Sequence, residues 1–474
     1  MSIGPAALLI DFGSTYTKLR AVELETGRIV GSGQGPSTVE TDIVEGMEKA
    51  LFDLERRMGK LPDFRHRLAS SSAAGGLRMV TVGLVRELTA EAARQAALGA
   101  GAKLVGAFAY RLTDGDVDAI RALAPDILLL AGGTDGGNED VVVANAMKIA
   151  GSGLACPVVM AGNRNAVDKV QYAFIMAGKD VIVAENVMPE FNVLNIEPAR
   201  AAIRQVFIER IVEAKGIDRA AEYVDSVLMP TPAAVLDGAR LLADGVPGRA
   251  GLGPLLLVDV GGATTDVHSI TAGNPSRDDV VFHGLPEPYA KRTVEGDLGM
   301  RHNALAIMEA AGAEAIAADA GVPVEAAKAR IKALHDDVAS LPNDDVGRGI
   351  DRALARAAVR IAVSRHAGTL SVVHTNTGPV TMQKGKDLSD VGTVIGTGGP
   401  LAHGDDAAAV LAAALASPAE PMSLRPKAPR LMLDKDYVLF ACGLLAEVAP
   451  GAALTLGLEA LQSVGRETSH EPAA

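Results

Sequence analysis

Two segments carry the residue types most able to do chemistry, Ile10-Asp11-Phe12-Gly13-Ser14-Thr15-Tyr16-Thr17-Lys18 and Val258-Asp259-Val260-Gly261-Gly262-Ala263-Thr264-Thr265-Asp266. Each is an apolar strand ending in Asp-x-Gly, followed by small and hydroxyl residues and a second strand. Such a turn directs backbone N–H groups into one concavity, where they can cradle phosphate oxygens. Glycine is needed where the backbone takes φ > 0 or comes close to a ligand. The aspartate cannot itself attract a phosphate, but it makes sense with Mg²⁺ between them, since Mg²⁺ is held by one or two carboxylates, waters and phosphates. Two facing turns with Asp11 and Asp259 could grip one metal-bound nucleotide in a cleft. The plainer alternative is that Asp-x-Gly makes a tight hairpin, and finding the pattern in both halves of the chain weighs against it. A third glycine element, Val394-Ile395-Gly396-Thr397-Gly398-Gly399-Pro400, follows a strand and precedes a helix. Its bare backbone would let an adenine or ribose lie against it, although the spacing is not G-x-G-x-x-G.

These loops need elements to hold them. Strand-like runs flank the first turn at Ala7 to Asp11, Thr17 to Glu23 and Arg28 to Gly33, and a helix is expected over Asp42 to Met58 with Ile43, Met47, Ala50, Leu51 and Leu54 on one face. Further strands are expected at Arg67 to Ser71, Met79 to Leu84, Leu104 to Ala109, Ile127 to Ala131, Val158 to Ala161 and Val181 to Ala184, with helical runs between several of them. That alternation is the mark of a layered α/β domain with a partly parallel sheet. The buried strand Leu255 to Asp259 opens a second half, with helical blocks at about Gly299 to Ala339 and Gly349 to Gly368, and strands at Leu370 to His374 and Gly392 to Ile395. A basic, proline-containing loop spans Leu424 to Arg430, and a last helix, Tyr437 to Val448, precedes a tail expected to be weakly structured.

The 474 residues, 48% hydrophobic, argue for two to four structural units and leave no need for a stapled core. With 45 basic and 58 acidic side chains the net charge is −13, so no basic face for nucleic acid is expected. Cys156 and Cys442 match no zinc or redox spacing, and the histidines are scattered. Mean hydropathy is +0.21, yet no apolar run approaches the roughly 20 residues of a spanning helix. Ala407 to Ala416 reads as a buried helix, and no signal peptide is read at the start. No membrane association and a cytoplasmic location are therefore expected.

Asp11 to Lys18 resembles the first phosphate motif of the actin, heat-shock chaperone and sugar kinase superfamily, Leu257 to Asp266 its second, and Ile395 to Pro400 its adenosine motif. Met229 to Gly238 resembles the connecting helix of the chaperone branch, and Val294 to Gly299 the loop that follows the second motif. Within the superfamily the chain is most similar to the MutL/GlmL family, accessory proteins of adenosylcobalamin-dependent glutamate mutase and related aminomutases. The strings that carry this are Asp11 to Lys18, Ser71 to Leu77, Leu130 to Gly137, Glu295 to Arg301, Gly385 to Leu388 and the Ile395 loop.

The resemblance implies an α/β fold of two actin-like, ribonuclease H-like ATPase domains flanking a nucleotide cleft, with an inserted α/β subdomain. The expected boundaries are 1–245 for the first domain, with its insertion at about 79–211, 246–436 for the second, and 437–474 for a terminal helix and flexible tail. The cofactors implied are ATP and Mg²⁺. Asp11 and Asp259 would organise the metal and the attacking water. Gly13, Ser14, Thr15, Gly261, Gly262 and Thr264 would hold the phosphates, and Gly396, Thr397, Gly398 and Gly399 the adenosine. Lys18 could neutralise phosphate charge or simply face solvent from its strand, Asp266 could support the metal or cap a turn, and Glu295 and Asp297 could touch nucleotide or water or be surface acids. Gly132 to Asn138 could bind an anion or shape a subunit contact, and is read by preference as a turn with Asn138 capping the next helix. The implied activity is that of an ATP-dependent reactivating factor that exchanges damaged cobalamin on partner mutase subunits, with a homodimer left open. A small-molecule kinase of the same fold and an actin-like scaffold are the competing functions, and no phosphoryl-acceptor pocket with a general base is evident.

Overall fold

The computed structural model describes residues 4–13, 16–38, 43–71, 77–214, 224–376 and 378–464. The chain forms two units: Met1–Leu241 with Gly284–Arg292 and Leu439–Leu456, and Leu242–His283 with Thr293–Val438 and Gly457–Ala474.

In the first unit, Ala6–Phe12 is buried at every residue, as expected of a strand covered on both faces. It pairs antiparallel with Tyr16–Glu23, which pairs antiparallel with Ile29–Pro36. On its other side it pairs parallel with Phe64–Ser71, itself parallel to Ser226–Pro230. Numbered along the chain, the sheet order is 3-2-1-4-5. The helix Ile43–Met58 covers this sheet through Ile43, Met47, Ala50 and Leu54.

Glycine fixes how closely that helix seats. Gly31, Gly33 and Gly35 alternate onto one face of Ile29–Pro36. A Cβ at Gly33 would lie 2.4 Å from the Ala50 carbonyl oxygen, and one at Gly35 would lie 2.8 Å from that of Gly46. Gly33→Ala is therefore expected to lower stability by about 1–3 kcal/mol through overpacking. Urea denaturation checks it, and an unchanged midpoint would mean that the helix does not rest on that strand.

Between Phe64–Ser71 and Ser226–Pro230 the chain builds a separate five-stranded sheet, Lys103–Ala109, Arg78–Gly83, Ile127–Leu130, Val158–Met160 and Val181–Val183 in spatial order. All its pairs are parallel. Its strands are short, apolar and separated by helices, which is why they were legible as a run of βα units.

The second unit repeats the plan. Leu255–Val260 pairs antiparallel with Thr265–Ile270 and parallel with Thr393–Thr397, which is parallel to Arg430–Leu433. The order Ala290–Glu295, Thr265–Ile270, Leu255–Val260, Thr393–Thr397, Arg430–Leu433 is again 3-2-1-4-5, with Gln462–Val464 added at the edge. The expected fold class, α/β with two actin-like halves and an inserted α/β subdomain, is thus the one observed.

The end of the chain differs from expectation. Leu439–Ala446 is helical as anticipated, but Pro450–Ala460 forms another helix and Gln462–Val464 a strand where a loose tail was expected. Pro450 is suited to a first helical position, and Ala453, Leu454 and Leu456 are buried. That segment is apolar nearly all round, so it carries no amphipathic period to read.

Candidate functional site

Both Asp-x-Gly turns are closed by the same bond. Gly13 N–H donates to the Tyr16 carbonyl at 3.1 Å, and Gly261 N–H donates to the Thr264 carbonyl at 2.9 Å. A Cβ at Gly13 would stand 2.5 Å from the Tyr16 oxygen and one at Gly261 2.9 Å from the Thr264 oxygen, so both glycines are required sterically. Ser14 and Thr15 lie outside the described residues.

Asp11 is buried near the end of its strand, opposite Lys18 on one neighbour and Ser70 on the other. The Thr231 hydroxyl donates to Asp11 Oδ1 at 2.6 Å and lies 3.2 Å from Ser70 Oγ. Burial pushes the Asp11 carboxyl above its ordinary value, against the opposing pull of Lys18, the Thr231 hydroxyl, Arg20 and Ser70. Directly opposed residues on antiparallel strands share a face. Lys18, half-buried there, therefore serves Asp11 electrostatically rather than standing apart as a solvated strand lysine. Thr231 was not among the expected site residues, although it stands inside the Met229 to Gly238 string.

The second turn is braced from behind. Met300 N–H donates to the Gly261 carbonyl at 3.0 Å, and Arg301 and His302 N–H donate to the Gly262 carbonyl at 2.9 and 3.1 Å. Asn303 Nδ2 donates to the Ala263 carbonyl at 2.9 Å. In a trans peptide the carbonyl and the next N–H point in opposite directions. With these carbonyls drawn back towards residues 300–303, the N–H groups of Gly262, Ala263 and Thr264 are turned the other way, as an anion cradle requires. Gly299 makes this approach possible, since a Cβ there would fall 2.3 Å from Ala263 C and O. Gly299→Ala should therefore skew the cradle and weaken ATP binding at least tenfold, read by titration with a fluorescent ATP analogue. Native affinity in that variant would deny the bracing segment any part in binding.

Asp259, half-buried, lies opposite Thr397 on the parallel strand and Asp266 on the antiparallel one. The adenosine-type loop is thereby brought to it. Gly398 has φ +96°, and a Cβ there would stand 2.2 Å from the Val260 oxygen and 2.8 Å from Asp259 Oδ1. Gly396 is packed under Leu401, Leu411 and Leu433, while Gly399 faces open space. The Thr397 hydroxyl is spent on the Asp434 carbonyl at 3.3 Å. Tyr437, whose ring lies 6.0 Å from that of His403, has its phenol pushed up to about 12 by burial and by the charges of Asp259 and Asp434. No motif pointed to Tyr437 or Asp434, because the fold, not local spacing, carries them to Asp259.

Glu295 and Asp297 share one guanidinium. Arg365 Nη1 reaches Glu295 Oε2 at 2.7 Å and Asp297 Oδ1 at 2.8 Å, and Nη2 reaches Asp297 Oδ2 at 2.9 Å. Burial pushes Glu295 up, and the Arg365 hydrogen bond holds Asp297 down. The Gly132 to Asn138 loop leads into the helix Asp140–Ala150, whose N-cap is Glu139 rather than the expected Asn138. Asn138 Oδ1 accepts Val141 N–H at 3.3 Å, Asn186 Nδ2 ties Gly133 to Asp135, and Asn163 Nδ2 holds the Gly137 carbonyl at 3.1 Å.

The donor set at both turns is oxygen only, carboxylate and hydroxyl, which suits a hard divalent cation. At Asp11 the burial that disfavours the bare anion would be relieved by a bound cation.

The family described as MutL protein matches this chain over residues 7–461. Protein MutL of Clostridium tetanomorphum is 46% identical over 455 residues, 95% of this chain and 98% of that protein. Among solved structures, glycerol dehydratase reactivase is 12% identical with a TM-score of 0.35, over 94% of this chain and 99% of that one. The xylulose kinase of Bifidobacterium adolescentis is 14% identical with a TM-score of 0.34, over 98% and 96%.

Proposed function

This chain belongs to the MutL protein family, and from that premise we propose that it is an ATP-dependent reactivating factor for an adenosylcobalamin-dependent mutase such as glutamate mutase. It would act in the cytoplasm, coupling Mg-ATP hydrolysis to the exchange of damaged cobalamin on the mutase subunits. The observation that most supports this is the braced turn at Gly261 to Thr264, with its N–H groups directed away from residues 300–303 and Asp259 at its base. The same closure at Gly13 supports a second phosphate contact.

In this reading Gly262, Ala263 and Thr264, with Ser14 and Thr15, hold phosphate oxygens through backbone and hydroxyl donors, while Gly13 and Gly261 close the two turns with their own N–H groups. Lys18 offsets phosphate charge, and the Gly396 to Gly399 loop accepts the adenosine. Asp11 and Asp259 would hold Mg²⁺, which when bound would shield the phosphates and draw charge from the bond that breaks. Asp11, kept oriented by Thr231, also positions the attacking water. Water adds to the γ-phosphorus and gives up its proton to solvent, the bond from the γ-phosphorus to the β–γ bridging oxygen breaks, and ADP leaves with that electron pair. No described helix is long and apolar enough to cross a membrane.

The test is ATP hydrolysis by the purified protein with and without glutamate mutase carrying inactivated cobalamin, in the presence of fresh adenosylcobalamin. ATP-dependent recovery of mutase activity is expected. Hydrolysis without recovery would remove the client assignment, and no hydrolysis at all would remove the ATPase.

A further inference from the structure

In the second unit, the helices Ala313–Ala320 and Asp345–His366 and the segment 412–418 line an open pocket of about 320 Å³. Ligand pockets begin at about this size and are mostly apolar with a few placed polar groups. Here the walls are largely alanine, with Ile316 and Leu415, and the polar groups include Arg356, Arg360 and Arg425. Three guanidiniums in one small chamber are unusual in a chain whose net charge is −13.

The neighbouring acids do not balance them. Arg356 pairs with Asp319 at 2.9 Å. Glu420 is shared between Arg425 at 2.9 Å and Arg360 at 3.5 Å, and Ser364 Oγ also donates to it at 3.3 Å. Two carboxylates thus serve three cations. Arg425 is 1% exposed, and although Nη1 reaches the Ala413 carbonyl, its Nε has no hydrogen-bond partner. A buried guanidinium N–H without an acceptor is costly. Burial, and more weakly Arg360, hold the Arg425 guanidinium below its ordinary value against the pull of Glu420. An added anion would offset the surplus charge, and guanidinium is the group best matched to planar or tetrahedral oxyanions.

We propose that this cavity binds a small organic anion, a carboxylate or phosphate carried on an apolar body, at a site separate from the phosphate turns. The anionic head sits among Arg356, Arg360 and Arg425, and the apolar body lies against the alanine walls. The proposal stands whether or not the chain hydrolyses ATP.

Calorimetric titration of the full chain with phenyl phosphate and, separately, benzoate tests it, and the two arms tell the head groups apart. Arg360 and Arg356 are each 41% exposed, so Arg360→Gln and Arg356→Gln should fold even if changes at Arg425 do not. At least one probe is expected to bind at one per chain. Its affinity should fall at least tenfold in either variant and stay unchanged in Arg277→Gln, an exposed arginine outside the cavity. Saturating Mg-ADP should leave binding intact. Failure of both probes to saturate, native affinity in both cavity variants, or displacement by Mg-ADP would each overturn the assignment.

Discussion

Asp11→Asn will make the protein harder to unfold at neutral pH while removing at least a hundredfold of the proposed ATP turnover. The two effects share one cause. Burial raises the Asp11 carboxyl above its ordinary value, so the folded state binds that proton more tightly than the unfolded chain does. A group raised in this way favours folding least once pH exceeds its folded value, because ionised Asp11 must then be kept from water. As pH falls through the folded value towards the unfolded one, that burden disappears. The amide keeps an oxygen that can accept the Thr231 hydroxyl but carries no charge, so the variant should gain stability at pH 7 and lose the gain in acid. Turnover falls because the carboxylate that would hold Mg²⁺ and place the water is gone. A metal's charge stabilisation is worth several kcal/mol, and about 3 kcal/mol is already a hundredfold. Thermal melts at pH 7 and pH 4 with a phosphate-release assay read both effects. Unchanged turnover would withdraw Asp11 from the site, and a lower melting temperature at pH 7 would contradict its unfavourable burial.

Gly398→Ala should be among the most damaging single-methyl changes in the second unit. The position combines φ +96° with a Cβ that would overlap the Val260 oxygen at 2.2 Å and crowd Asp259 Oδ1 at 2.8 Å. Backbone strain and overpacking each contribute about 1–3 kcal/mol, giving an expected loss of about 2–6 kcal/mol. ATP binding should weaken as well, since the displaced atoms include the Asp259 carboxylate. Gly399→Ala is the control, because nothing lies within 4 Å of its Cβ position. Equal denaturation midpoints for the two variants would refute the close approach.

What the residues disclosed and what they hid divide along a physical line. The glycine turns, the apolar strands and the helix Ile43–Met58 are locally determined, so their chemistry can be read from adjacent positions. The repeated Asp-x-Gly pattern was legible, and it lies in the corresponding place in two sheets of the same order. Thr231 reaches Asp11 across 220 positions of sequence, and Tyr437 owes its place near Asp259 to the path the chain takes after Arg430–Leu433. Such partnerships are made by topology and leave no period. Glu295 and Asp297 show the converse: their motif was visible, but the guanidinium that occupies them comes from the far end of the helix Asp345–His366.

The inserted parallel sheet is spliced into the first unit at a telling place. The chain leaves for it after Phe64–Ser71 and returns through Ser226–Pro230, two strands that are neighbours in the sheet. Ser70 stands at the outgoing lead and Thr231 immediately after the incoming one, and these two hydroxyls meet beside Asp11. The insertion is therefore tethered to the rest of the unit through the residues that gauge the charge on that carboxylate. Under the proposed function, a partner that grips the inserted sheet and shifts either tether would change the affinity for nucleotide, and nucleotide would change the grip by the same factor.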